Sequence, residues 1–71
     1  MDAKEWLAAY ADRLGADAPD DETTELLLEL AGVAAHSSER IAAPITCWLI
    51  GVAGRSPAEA LAIAKELAGE G

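Results

Sequence analysis

Potential chemistry in this chain is concentrated in one nine-residue stretch, His36-Ser37-Ser38-Glu39-Arg40-Ile41-Ala42-Ala43-Pro44. The sole histidine stands there with two hydroxyls, a carboxylate and a guanidinium. The stretch is flanked by two almost wholly aliphatic runs, Leu26–Ala35 and Ile45–Ala53. A polar block so placed belongs where two buried helices meet. If it is helical, His36 and Arg40 lie one turn apart on one face, with Glu39 adjacent. A histidine and a carboxylate at that spacing can share a metal, but two ligands are fewer than a stable site uses. Arg40 together with a helix N-terminus can hold an anion such as phosphate. A Ser-His-acid hydrolase needs groups from converging elements plus an oxyanion hole. Ser37 and Ser38 are direct neighbours of His36, and no G-x-S-x-G elbow is present. The structural alternative is an elbow in which Glu39 and Arg40 satisfy free backbone groups and Ser37 or Ser38 caps the next helix. His36, Ser37, Glu39 and Arg40 are therefore the candidate binding residues, with no catalytic set, metal site or cofactor assigned.

Three other features carry less. Cys47 sits in the middle of the most apolar run, where a free cysteine behaves as a small hydrophobe. The acidic run Asp17, Asp20, Asp21, Glu22 and Glu25 lacks the alternating ligands, loop glycine and terminal glutamate of a calcium-binding EF-hand. It reads as a solvated helix start. No glycine-rich loop follows a strand, so no phosphate cradle of that kind is expected.

The elements that must position the polar block are all helical. Helix one spans about Ala3–Leu14, with Asp2 as N-cap, Glu5 at the third position and Gly15 closing it. Its apolar residues, Ala3, Trp6, Leu7, Tyr10 and Leu14, recur on one face. Gly15–Asp20 is a loop, and Asp20 or Asp21 caps helix two. That helix carries Leu26, Leu27, Leu28, Leu30, Val33 and Ala34 and ends between His36 and Arg40. Gly32 within it reads as a site of close packing. Helix three starts between Ser38 and Ala43, which places Pro44 in a first turn, where proline costs little. It occupies about 41–53 and is apolar nearly all round, which predicts the central, most buried element. Helix four opens on Ser56-Pro57-Ala58-Glu59, a capping box with proline at the first helical position. Gly69 is expected to stop it and Glu70-Gly71 to fray. The result is an all-α chain, a compact four-helix bundle in one domain over 1–71, with Trp6 and Trp48 as an expected contact pair.

Composition sets limits on function. The chain has 71 residues and a net charge of −8, which argues against nucleic-acid phosphates and anionic membranes as partners. Seventeen alanines and no phenylalanine favour helix but leave a thin core. Self-association is one remedy for a thin core on a short chain. A single cysteine and the absence of a signal-peptide pattern after Met1 suggest a reducing cytoplasm. The uncharged run Ile41–Gly54 is too short to span a bilayer.

The segments Ala34-Ala35-His36-Ser37-Ser38-Glu39-Arg40, Ala43-Pro44, Leu49 with Gly51, and Gly54-Arg55-Ser56-Pro57 resemble a known family. It is a small actinobacterial helical domain of unknown function, found alone or fused after a molybdenum-cofactor guanylyltransferase-like nucleotidyltransferase. Trp6-Leu7 and Pro19-Asp20 look alike too, so the resemblance covers nearly the whole chain. It implies a non-catalytic accessory role in molybdenum-cofactor (molybdopterin-guanine dinucleotide) biosynthesis, with a nucleotidyltransferase as partner. His36, Glu39, Arg40 and Pro44 carry over as motif positions without a stated role. Three functions therefore stand side by side: an accessory binding module, a self-associating domain such as a homodimer, and a small anion- or nucleotide-binding domain using His36, Glu39 and Arg40.

Overall fold

The structure is a computed structural model that describes residues 1–70. Four helices follow one another: α1 Ala3–Leu14, α2 Asp21–Ser37, α3 Ala42–Ala53 and α4 Pro57–Glu70. No strand occurs among the described residues.

Local chemistry accounts for most of the boundaries. Asp2 accepts a bond from the Glu5 amide at 2.8 Å, and Asp20 accepts one from the Thr23 amide at 2.7 Å. Each satisfies an N–H that has no partner within the helix. The Asp20 carboxyl is held below its ordinary range, chiefly by that backbone bond. At α4, Ser56 and Glu59 bond reciprocally: Glu59 N–H to Ser56 Oγ at 3.2 Å, Ser56 N–H to Glu59 Oε1 at 3.3 Å. Gly15 and Gly54 close α1 and α3 at φ 75° and 71°, a left-handed conformation costly for a side chain bearing Cβ. The stop expected at Gly69 is not used. α4 runs on through Gly69 to Glu70, because glycine weakens a helix without forcing it to end. Of the expected frayed tail, Glu70 is helical, and Gly71 lies outside the described residues.

The bundle is organised around α2, not α3. Leu30 of α2 is 1% exposed and forms the core with Ala60 and Leu61 of α4. Leu26, Val33, Cys47, Ile50 and Ala64 pack against it, so Cys47 does lodge as a small hydrophobe. α2 lies between α3 and α4 and packs closely on both. The expectation of a central α3 therefore fails, and none of its residues is buried. Its Cys47–Ile50 side meets the core, while Ile41, Ile45, Trp48 and Val52 face solvent. An all-round apolar sequence says that a helix prefers cover; it does not say that this chain supplies cover on every side.

α1 stands at the margin. It touches the rest near the start of α2, where Ala3, Leu7 and Ala8 share a hollow with Ala18, Pro19 and Thr24. Lys4 Nζ lies 3.7 Å from Asp21 Oδ1, an exposed pair of little energetic weight. It does not pack closely on any other helix. Trp6 consequently stacks on Tyr10 within α1, centroids 4.8 Å apart, and the expected Trp6–Trp48 pair does not form. Gly32 is not a close-packing site either, since a Cβ there would meet nothing within 4 Å.

Candidate functional site

The polar block forms the elbow between α2 and α3. His36 and Ser37 are the last residues of α2, Ser38 its C-cap, and Glu39 to Ile41 the turn into α3. All six are exposed. The elbow is closed by main-chain bonds: Ser38 N–H to Ala34 O at 3.0 Å, Ala42 N–H to Glu39 O at 2.9 Å and Ala43 N–H to Arg40 O at 3.1 Å. α3 begins without a side-chain cap, so neither Ser37 nor Ser38 caps it. Nor do Glu39 and Arg40 secure the helix ends with their side chains, as the structural alternative supposed. Main-chain bonds close the turn, and neither side chain forms a hydrogen bond or ion pair among the described residues.

Part of the block looks into a cleft. Ser37, Ser38 and His36 line a concavity of about 630 Å³. Its other walls are apolar apart from the Thr46 hydroxyl: Val33 and Ala34 from α2, Ala42 and Thr46 from α3, and Ala64, Leu67 and Ala68 from α4. Three helices therefore converge on a pocket with one polar lip. Glu39 and Arg40 are not among its lining residues, so the candidate set divides, with His36 and Ser37 at the lip and Glu39 and Arg40 outside it. Sequence reading found the lip but missed the opposite wall, Thr46, Ala64 and Leu67. The trace of that wall in the sequence is that two short connections separate α2 from α4, which makes the two helices run the same way and end together.

The start of α3 is a poor anion cradle. The Ala42 and Ala43 N–H groups are already bonded to the turn, and Pro44 has none. Anion binding at the elbow would thus fall to the side chains of His36, Ser37, Ser38 and Arg40. Among the described residues, no group of three His, Cys, Asp or Glu side chains is arranged to hold a metal. No helix there is long and apolar enough to cross a membrane.

Residues 1–70 match the model of a family described as a domain of unknown function, DUF6457. The chain belongs to that family. The match spans all four helices, so the elbow and its cleft lie within the family's unit. No curated protein and no solved structure matched.

Proposed function

We propose that the chain is a non-enzymatic accessory module that binds another protein through the elbow cleft. The observation that carries this reading is the cleft itself: about 630 Å³, apolar walls, and a lip where His36 and Ser37 form no side-chain hydrogen bond among the described residues. Apolar walls with a few unengaged polar groups suit an inserted side chain from a partner. The resemblance to domains fused to molybdenum-cofactor nucleotidyltransferases supplies the partner class, a cytoplasmic nucleotidyltransferase of molybdopterin-guanine dinucleotide biosynthesis. Titration calorimetry of the full chain against such an enzyme tests it. Binding is expected, and His36→Ala together with Thr46→Trp, which fills the cleft, should abolish it while far-UV circular dichroism stays unchanged. Absence of binding by the unaltered chain overturns the proposal.

A second reading is favoured by Arg40, whose guanidinium forms no hydrogen bond or ion pair among the described residues: a small anion or nucleotide bound at His36, Glu39 and Arg40, with Glu39 serving as an acceptor for a nucleotide's donor groups. Phosphate titration followed by NMR separates the two readings. Saturable shifts confined to His36–Arg40 and lost in Arg40→Ala favour the anion.

A further inference from the structure

We propose that a second copy of this chain covers the outer face of α3, each copy laying its α1 across the α3 of the other. The proposal is independent of the elbow cleft and uses a different surface. Ile41, Ile45, Trp48 and Val52 recur at intervals of four, three and four residues, which aligns them along one side of α3. Their exposures run from 59% to 74%, on the side opposite the Cys47–Ile50 side that meets the core. A continuous apolar stripe of this kind marks a contact surface.

Area says that the missing cover is large. A monomer of 7.3 kDa typically exposes about 4,200 Å². This chain exposes 5523 Å², about a third more. The excess, roughly 1,300 Å², is what a chain contributes to a stable dimer, where the standard share is about 800 Å² per partner and obligate dimers use more.

Two observations select α1 of a second copy as the occupant. α1 is the helix without a close partner in its own chain, and its Leu7, Tyr10 and Leu14 repeat the three-four spacing of Ile45, Trp48 and Val52. Charge agrees. The chain is −8 overall, yet Arg40–Arg55 contains no acid and has an arginine at each end. Pairing α3 with a second α3 would gather four arginines. Pairing it with α1, whose Lys4 and Arg13 are offset by Asp2, Glu5 and Asp12, avoids that accumulation. The reciprocal exchange closes on itself as a two-fold dimer.

Light scattering and sedimentation equilibrium on the full chain test the assembly. A dimer is expected, with tryptophan emission shifting to the red on dilution as Trp6 and Trp48 return to water. Trp48→Glu and Tyr10→Glu should each weaken the dimer by roughly thirtyfold or more, the scale of a central interface residue. Should either variant lose its helices, disulfide trapping decides in the folded protein. Cys47→Ala/Tyr10→Cys mixed with Cys47→Ala/Trp48→Cys should cross-link as a heterodimer. A monomer at all concentrations overturns the proposal. So does a dimer that tolerates both charges, or one in which Trp48→Cys cross-links only to itself. Nucleotidyltransferase binding by a monomeric Trp48→Glu would leave the cleft reading intact, so the two can fail separately.

Discussion

At the scale of single residues, the most telling group is Glu59. Its carboxyl lies below the ordinary glutamate range, chiefly through the bond from the Ser56 backbone N–H and then the Ser56 hydroxyl, with Arg55 adding a smaller pull. A carboxylate whose pKa is lower folded than unfolded adds stability above its unfolded pKa, and that stability disappears as pH falls through the folded value. The first turn of α4 should therefore open in acid, below the ordinary glutamate range. Protection of the Ser56 and Glu59 amides, measured relative to the intrinsic exchange rate at each pH, should fall there in the unaltered chain. It should be lower and less pH-sensitive in Glu59→Gln, and equal pH profiles would dismiss the cap. Gly54 gives a second expectation at this scale. Its φ of 71° puts any Cβ in the left-handed region, so Gly54→Ala should cost about 1 kcal/mol in urea denaturation. Both residues were legible in the sequence, because capping boxes and terminal glycines act within four residues of themselves. The elbow was legible only by half. His36 and Ser37 could be read as candidates, but whether Glu39 and Arg40 share their cleft depends on the direction in which α3 leaves the turn.

At the scale of the helix, punctuation proved more informative than hydrophobicity. All four helices start where an aspartate, a serine–proline step or the limit set by Pro44 predicts. The order of burial could not be read the same way. α3 is the most apolar helix and lies on a flank, while α2, with acids in its first turns, holds Leu30 at the centre. Hydrophobic content measures what a helix would gain by burial, whereas position is settled by which neighbours can reach it. The same limit explains Gly32. Glycine within a helical pattern suggests a close approach, yet the space above Gly32 is open. It contributes only backbone freedom to the unfolded chain. Gly32→Ala should accordingly stabilise the fold by about 0.5–1 kcal/mol, seen as a higher urea midpoint at unchanged slope. A loss of stability instead would mean that a neighbour closes on Gly32 in solution.

At the scale of the whole molecule, shape and charge work against the lone chain. Its radius of gyration is 12.7 Å, against about 11 Å for a globule of this length. It buries only about half the area its extended form would expose, less than the roughly 60% usual near this size. The net charge of −8 adds self-repulsion. The three ion pairs that oppose it among the described residues, Lys4–Asp21, Arg55–Glu59 and Lys65–Glu29, are all largely exposed and so contribute little. Salt therefore acts on two opposing terms. At about 0.01 M the screening length is about 30 Å, comparable to the molecule's 38 Å long axis, and nearly every carboxylate senses the others. At about 0.15 M it is about 8 Å, and only neighbours interact. The repulsion is long-ranged and the ion pairs are short, so screening removes more of the former. The melting temperature should rise by a few degrees across that range in the monomeric Trp48→Glu variant, where about 1 kcal/mol corresponds to several degrees. It should rise further in the unaltered chain, where weaker repulsion also favours a second copy and ties stability to protein concentration. Equal shifts in the two proteins would mean that salt acts on folding alone and that α3 gains no cover from a partner.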